Sequence, residues 1–407
     1  MSNGIKLPQL FWHGPRELDL SLPENWRIDV RNFAGYNRPA LTDSQIKDTI
    51  THPMGTPRIR EMAKGKKEVV IIFDDIHRPT RAYRMVAPIL DELAEAGIPD
   101  GSIRFMAANG THGTMNREDF VKKLGSDIPG RFRCFNHNPF DACTYVGTTS
   151  RGNKVFLNSE FVQCDFKISI GSITPHLFAV FSGGGKMILP GVASRETIVY
   201  NHTLPCTLED KPHYDRNPVP LDMSEAASFA HLDFNIEGLI NGWGDTCALF
   251  AGDLNLSHDA GVQEAKTHYF TERTRNKDIV IYNVYTKITE AASGVGAMYS
   301  SLKKEGGDLV IICNSPAGQV VHYLVGPWGN LISAKMRMQI PIPPHVNHII
   351  VYNEYPDLAG LGYIENSPKV IAVNKWEDVL KILQKGHGDK AEVGVYPNGD
   401  IQLWPRE

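Results

Sequence analysis

Four polar stretches in this sequence of 407 residues carry side chains suited to acid–base and anion chemistry. They are DDIHRPT beginning at Asp74, NGTH ending at His112, TPH ending at His176 and YTK ending at Lys287. Each follows an apolar run that predicts a buried strand. In open parallel sheets, ligands bind beyond the carboxyl ends of the strands, so these stretches would share one edge. Their acids, bases and cations together predict a catalytic cleft.

A glycine-rich stretch, GSITPHLFAVFSGGGKMILPG, begins at residue 171. It does not match the nucleotide-binding pattern GxxxxGK[ST], because Val180 stands at the first glycine position and Met187 stands where Ser or Thr would bind magnesium. No GxGxxG follows a strand, so a dinucleotide site has no support. The glycines still allow backbone N–H groups to approach an anion. Lys186 fits either as a charge for that anion or as a nucleophile.

Each of these residues also has a purely structural interpretation. Asp74 and Asp75 fit as caps of the following helix. Arg78 fits a surface ion pair with Glu92 or Asp91. His112 fits an ordinary turn residue, His176 a hydrogen-bonded histidine of the core, and His202 a structural histidine. The sequence leaves these alternatives open for each residue taken alone.

The histidines also raise the question of a metal. Imidazole suits zinc, copper, iron or nickel. However, no cysteine lies near His112, His176 or His202 in their motifs, and HExxH is absent. A single histidine ligand would therefore need its other ligands from elsewhere. His77 and His137 have no supporting pattern, and we assign them no role.

Composition narrows the class of protein. Hydrophobic residues make up 42% and charged residues 22% of the chain, as in a globular protein of two or three domains. The net charge of −4 argues against non-specific nucleic-acid binding. The N-terminal sequence lacks the apolar segment of a signal peptide, and no apolar run approaches the roughly 20 residues of a membrane span. The six cysteines form no CxxC pair, so we expect reduced thiols and a cytoplasmic protein.

Strands that alternate with helices must position the polar stretches. The first such region has apolar runs at 67–73, 102–110 and 166–173, with helical patterns at 82–97 and 116–125. This order predicts a parallel sheet. Further along, FNIEGLIN and TCALFAGD lie on either side of NGWGD and predict an antiparallel pair of strands.

A second α/β region begins near residue 278. Its predicted strands are DIVIYNVY, DLVIIC, NHIIVYNE and KVIAVN, and AEVGVYPNGDIQLW predicts a final hairpin around Pro397-Asn398-Gly399. We therefore predict an α/β protein of two domains with mainly parallel sheets and a cofactor/substrate cleft between them. The predicted domains are an N-terminal cofactor-binding domain at 1–272 and a C-terminal α/β domain at 273–390. The hairpin at 391–407 that follows could pack against either domain, including the first.

Taken together, DDIHRPTR, ANGTHG, TPHLFAVFSGGGKMILPG and the NH pair ending at His202 resemble the catalytic subunit of lactate racemase and its homologues. The resemblance covers most of residues 65–205 in order and spacing, and is looser afterwards. It implies a nickel-pincer nucleotide as cofactor. This is pyridinium-3,5-bisthiocarboxylic acid mononucleotide, which holds nickel through one carbon and two sulfurs and is made by separate biosynthesis proteins.

The resemblance also implies roles for individual residues. Lys186 aligns with a lysine that can be joined to the cofactor through a thioamide, and His202 aligns with the nickel ligand. His112 and His176 align with two acid/base histidines. Asp75 and Arg78 align with the essential acid and arginine of the DxxR pattern. Arg78 and Lys287 are implied to bind the substrate carboxylate. The residues implied to bind the cofactor, besides Lys186, are Asp75, Ser182, Gly183, Gly184 and Gly185.

The implied reaction inverts C2 of a 2-hydroxy acid by hydride transfer to and from the cofactor. Loss of a hydride while a histidine takes the hydroxyl proton leaves a neutral keto group and avoids a dianion. The sequence departs from the family pattern at Gly113 and Arg81, which leaves the identity of the hydroxy acid open. Two other functions stay open as well. One is a hydrolase or lyase that uses a divalent metal held by the same aspartates and histidines, and the other is a non-catalytic sensor of hydroxy acids or nucleotides.

Overall fold

The computed structural model describes residues 4–207, 209–331 and 339–404. The strands are β1 (Lys6–Gln9), β2 (Arg16–Asp19), β3 (Arg27–Val30), β4 (Val69–Asp74), β5 (Ile103–Ala108), β6 (Arg133–Asn136), β7 (Cys143–Thr148), β8 (Lys154–Asn158), β9 (Phe166–Ser172), β10 (Pro175–His176), β11 (Val180–Phe181), β12 (Phe234–Ile240), β13 (Thr246–Gly252), β14 (Ile279–Asn283), β15 (Gly307–Ile312), β16 (Val346–Tyr352), β17 (Val370–Val373) and β18 (Glu392–Tyr396). The α-helices are α1 (Asp43–Thr51), α2 (Ile59–Met62), α3 (Tyr83–Glu95), α4 (Arg117–Leu124), α5 (Ile128–Arg131), α6 (Ser159–Gln163), α7 (Arg195–His202), α8 (Pro218–Ser228), α9 (Leu254–His268), α10 (Val295–Met298), α11 (Gly326–Leu331) and α12 (Trp376–His387).

The chain divides into two compact units, one made of residues 37–267 and the other of residues 1–36 together with 268–407. The first unit contains a six-stranded sheet in the order β13-β12-β9-β4-β5-β6. Its neighbouring strands are parallel except for the antiparallel pair β12 and β13 at one edge. The predicted α/β class, the three predicted parallel strands and the antiparallel pair are all confirmed.

Burial on both faces explains why the central strand β4 is apolar up to its last residue, Asp74. Every residue of β4, VVIIFD, is buried, as expected where helices cover a parallel sheet on both sides. The apolar face of α3 packs against this sheet through Met85 and Ile89, which join Phe73 and Phe105 in one core cluster. Helix α4 begins at a capping box in which Asn116 and Asp119 satisfy each other's backbone N–H groups.

The second unit contains a fully parallel six-stranded sheet in the order β17-β16-β15-β14-β18-β3. Strand β18 lies between β14 and β3, because its buried backbone pairs with both neighbours. The predicted C-terminal hairpin at 391–407 is therefore absent from the described residues. After Pro397-Asn398 the chain is held by the Gly399 N–H, which donates to the carbonyl of Asn283 at 3.0 Å.

The observed units differ from the predicted domains in their membership. Residues 1–36 and the segment after residue 390 both belong with the C-terminal unit, because β3 pairs with β18. The change of unit at 267/268 lies close to the predicted boundary at 272. Among the helices that the structure describes, none has both the length and the apolar composition needed to cross a membrane.

Candidate active site

The loops after β4 and β5 lie side by side, because these strands are parallel neighbours with Asp74 opposite Ala108. The first loop carries Asp75 and the second carries His112. Their side chains meet, with His112 Nδ1 2.6 Å from Asp75 Oδ2. Both are largely withdrawn from water, at 12% and 3% side-chain exposure. Adjacent strand ends thus bring together two of the residues predicted from sequence.

Asp75 is ionised in this arrangement. Burial opposes its charge, but the charges of His112, His77 and Arg78 outweigh burial and hold the pKa of Asp75 far below its usual range. An ionised carboxylate only accepts hydrogen bonds, so His112 Nδ1 must carry the hydrogen. In the neutral ring, the lone pair then belongs to Nε2. His112 is thereby oriented as a base by its aspartate.

A buried ion pair fixes the loop that carries Asp75. Lys123 Nζ lies 2.6 Å from Asp74 and also donates to the carbonyl of Arg78 at 3.2 Å, while Thr80 donates its hydroxyl hydrogen to Asp74. Lys123 is fully buried. Burial lowers the pKa of Lys123 and raises that of Asp74, against their mutual attraction. The pair ties both ends of the loop to α4.

The structural alternatives for these loop residues do not hold. Helix α3 takes Ala82 as its N-cap residue, so neither aspartate caps it. Glu92 forms ion pairs with Arg58 and Arg60, and thus already has partners other than Arg78. Arg78 is buried and donates from Nη1 to the carbonyl of His77 at 3.0 Å.

The second predicted histidine, His176, lies in the short strand β10 just after the central strand β9. Its Nδ1 accepts hydrogen bonds from the backbone N–H groups of Phe178 and Ala179, at 3.2 and 3.3 Å. The hydrogen of the neutral ring must therefore lie on Nε2. His176 thus presents a donor at Nε2, where His112 presents a lone pair.

His202 lies at the last residue of α7, and its ring is 5.3 Å from that of Phe178. Burial, followed by the positive charge of Lys186, lowers the pKa of His202 to about 3, although the backbone of Ile198 offsets part of this. Its Nδ1 is buried, and no described residue forms a hydrogen bond of normal geometry with it. A neutral imidazole with an unsatisfied nitrogen is the form in which histidine binds metals.

The glycine-rich loop rests on a buried acid–base pair. Gly183 and Gly184 have φ values of +86° and +56°, and the Gly184 N–H donates to Glu237 Oε1. Glu237 Oε2 in turn lies 2.7 Å from His258 Nδ1. A Cβ atom on Gly183 would lie 2.6 Å from Glu237, and one on Gly184 would lie 2.5 Å from His258. Glycine is therefore required at both positions.

The other predicted loop residues are also engaged. Ser182 donates its hydroxyl hydrogen to the carbonyl of Ser172 at 2.7 Å and accepts from the N–H of Thr174 at 2.9 Å. Gly185 packs against the backbone of Met223, since a Cβ there would lie 2.9 Å from its carbonyl oxygen. Ser182 thus holds the loop to the end of β9, so that the loop, the histidines and the aspartate all belong to one compact unit.

Comparison with known proteins bears on this arrangement. The family profile described as the lactate racemase N-terminal domain matches residues 13–214. A lactate racemase of Lactiplantibacillus plantarum is 30% identical over 310 residues, which is 72% of this chain and 72% of the relative. The chain belongs to the lactate racemase family. A lactate racemase of Thermoanaerobacterium thermosaccharolyticum is 29% identical over 326 residues, covering 75% of this chain and 74% of the relative.

Solved structures agree with the fold of this lactate racemase family member. The lactate racemase apoprotein of Thermoanaerobacterium thermosaccharolyticum superimposes with a TM-score of 0.72 at 23% identity, over 99% of this chain and 100% of that one. A Thermotoga maritima protein gives 0.66 at 18% identity, over 90% of this chain and 99% of its own. The resemblance found from the motifs is confirmed, and the chain is an isomerase of the racemase type.

Three residues of this racemase-family site were not singled out from the sequence as functional. Glu237 and His258 support the glycine-rich loop, and His77 contacts His112 with ring centroids 5.2 Å apart. A signal for Glu237 was present, because a charged residue inside the apolar run FNIEGLI seldom lies buried without a partner. His258 and His77 carry no comparable signal.

Lys287 belongs to the other compact unit of the racemase-family chain. It follows β14 and is 3% exposed. Its backbone N–H donates to Asp400 at 2.7 Å, and Thr286 donates to the same carboxylate through its N–H and its hydroxyl. Asp400 thus fixes the backbone at Lys287. Its substrate-binding role remains a prediction from the resemblance.

Proposed function

We propose that this chain inverts the C2 centre of a 2-hydroxy acid, with a nickel-pincer nucleotide as its cofactor, His112 as the proton acceptor and His176 as a hydrogen-bond donor to the substrate oxygen. Lactate, which the names of its relatives give as their substrate, is the first candidate. The observation that carries the proposal is the opposite hydrogen bonding of the two histidines. Such a pair offers a 2-hydroxy acid one proton acceptor and one hydrogen-bond donor.

The chemistry of the substrate explains why both are useful. The C2 hydrogen of a 2-hydroxy carboxylate is a poor acid, because its removal as a proton would create a dianion. When bound, the nickel-pincer nucleotide would supply an acceptor for this hydrogen as a hydride. The hydroxyl proton would go to His112 Nε2, so that the product is a 2-keto carboxylate with a neutral keto group. The Nε2–H of His176 stabilises the keto oxygen, as neutral imidazoles do in other enzymes.

The residues predicted to hold the cofactor fit its chemistry. His202 is neutral and has an unsatisfied buried nitrogen, as a nickel ligand requires. The positive charge of Lys186 lowers the pKa of His202, which supports the assignment of both residues to one cofactor site. Gly183 and Gly184 keep the loop free of side chains. Asp75 already orients His112 and accepts from the His77 N–H at 2.9 Å, so we assign it to the base and not to the cofactor.

Substrate binding would fall to Arg78. Its guanidinium is suited to a carboxylate, which it binds through two parallel hydrogen bonds. Arg81, at which the sequence departs from the family pattern, instead forms an ion pair with Asp245 and donates to the carbonyl of Trp243 at 3.3 Å. Arg81 is thus held within the fold, and we assign it no role toward the substrate.

The proposal is tested on the full chain produced together with nickel-pincer biosynthesis proteins. We expect about one nickel per chain, racemisation of L-lactate or another chiral 2-hydroxy acid, and loss of nickel in His202→Ala. Added mass that disappears in Lys186→Ala would support a covalent link. Absence of cofactor mass and of any racemisation under these conditions would reject the proposal, and leave a reaction with ordinary divalent ions as the next hypothesis.

A further inference from the structure

Three metal-ligating side chains converge at the ends of β4 and β5. One ligand atom from each of Asp75, His77 and His112 lies within 4.8 Å of the others. We propose that this Asp75–His77–His112 triad binds a borderline divalent cation such as Zn²⁺, and that the cation competes with proton transfer at His112. The triad is separate from the proposed nickel ligand, since His202 is not a member.

The donor set suits such a cation. Two imidazoles and one carboxylate are ligands that zinc takes in open sites, where three protein ligands leave a fourth position for water. The same set also accepts nickel and cobalt. A tetrahedral Zn²⁺ needs bonds of about 2.0–2.2 Å, so the three side chains must draw together by roughly 1 Å. His77 is only partly buried.

The backbone around the triad is already fixed. The N–H of His77 donates to Asp75 Oδ1 at 2.9 Å, which folds the loop so that the His77 ring meets the edge of His112. Lys123 holds the same loop through Asp74 and the carbonyl of Arg78. A cation would thus meet ligands on a positioned backbone, and only side-chain rotation is left to complete the site.

Competition follows from the use of the same atoms. A cation on His112 occupies an imidazole lone pair that proton transfer needs, and it also draws Asp75 away from orienting that ring. This consequence rests on the proposed function, whereas the binding itself does not. The triad would also bind free Ni²⁺, so nickel content in a chain lacking the cofactor would not by itself prove that cofactor is bound.

The first test measures binding on the full-length chain, without an affinity tag and produced without the biosynthesis proteins. Equilibrium dialysis with Zn²⁺ and visible absorption with Co²⁺ would compare the natural chain with His77→Gln. The matched control is His52→Gln, because His52 is an exposed histidine that also pairs with an aspartate, Asp48. We expect His77→Gln to bind Zn²⁺ at least tenfold more weakly at one site and to lose the Co²⁺ absorption, with the control unchanged. Equal Zn²⁺ binding by His77→Gln and the natural chain would overturn the proposal.

The second test uses the cofactor-loaded enzyme, with each variant compared with its own zinc-free rate. Added Zn²⁺ should inhibit the natural enzyme and His52→Gln at the same concentration. His77→Gln should need at least a tenfold higher Zn²⁺ concentration for the same inhibition. The same sensitivity in all three would reject the competition. If the loaded chain shows no racemisation while the difference in Zn²⁺ binding is present, the proposed function fails and the metal site stands.

Discussion

The Nδ1 atoms of His112 and His176 face opposite kinds of partner. That of His112 lies 2.6 Å from the carboxylate of Asp75, whereas that of His176 accepts from the backbone N–H groups of Phe178 and Ala179. The two neutral rings therefore differ in tautomer, with a lone pair at Nε2 of one and a hydrogen at Nε2 of the other. Local structure thus gives two residues of the same type different chemical roles.

Asp75→Asn tests the orientation of His112. The amide can donate as well as accept, so it no longer requires a hydrogen on Nδ1 and the base loses its preferred tautomer. We expect kcat to fall by roughly 10³- to 10⁴-fold, as in other histidine–aspartate pairs. The measurement is racemisation by chiral chromatography, with the mass of bound cofactor as the control for an intact cofactor site. A loss of less than tenfold would show that the aspartate does not set the tautomer.

His176→Gln and His176→Asn together test whether His176 acts as a donor. The side-chain nitrogen of glutamine reaches about as far as Nε2 and keeps a donor there, whereas asparagine is too short. We expect both variants to lose activity, and His176→Gln to keep at least tenfold more kcat than His176→Asn. Equal losses in the two variants would instead indicate that His176 must accept a proton during turnover.

Gly184→Ala tests the support of the glycine-rich loop by Glu237 and His258. The added Cβ combines a positive φ with a clash against His258. The matched control is Gly65→Ala, which has a φ of +81° but nothing within 4 Å of the new atom. The control should lose about 1–2 kcal/mol of the free energy of unfolding, and Gly184→Ala a further 1–3 kcal/mol or so. The free energy of unfolding of both variants is measured by urea unfolding. Equal losses would mean that the glycine-rich loop accommodates the new Cβ atom without strain.

Protonation of His137 should account for part of the loss of unfolding free energy at acid pH. It is buried and donates from Nε2 to the carbonyl of Ala193 at 2.8 Å, and burial lowers its pKa to about 4. Because the pKa in the unfolded chain is about 6.5, the unfolded state binds more protons between these values. The stability that neutral His137 contributes is fully present above pH 6.5 and is lost as the pH falls toward 4. By pH 5 the loss from His137 should be about 2 kcal/mol.

His137→Gln is the variant that isolates this effect. Glutamine keeps a donor for the Ala193 carbonyl but does not titrate, so the unfolding free energy should fall less between pH 7 and pH 5 than in the natural chain. Other groups with lowered pKa, such as His202 and Asp75, contribute to both chains alike. Identical pH profiles would show that His137 is not the source.

The contact of Asp75 with His112 could be predicted because it follows from the order of neighbouring parallel strands. Strands β4 and β5 are consecutive in the sheet, so their ends had to meet. Glu237 and His258 escaped prediction because they come from β12 and α9, and local patterns do not state which distant elements pack beneath a loop. Periodicity finds elements, but it does not encode long-range pairing.

The pairing of β3 with β18 escaped prediction for the same physical reason. The Pro-Asn-Gly sequence after β18 is a strong local turn signal, yet here it leads the chain to Asn283 and not into a hairpin. The choice depends on two neighbouring strands that both offer parallel hydrogen bonds to β18. A short N-terminal strand such as β3 carries no signal for a partner that lies at the other end of the sequence.

The same pairing sets an order of events during synthesis. Strand β3 leaves the ribosome early, but its partner β18 follows only after the whole of residues 37–267 and most of the later unit, on the order of tens of seconds afterwards. The unit with the proposed cofactor loop is continuous in sequence, at residues 37–267. All of its strands are therefore synthesised long before β18. This unit can therefore fold on the nascent chain before the other sheet has received β18, the strand that joins β3 to β14.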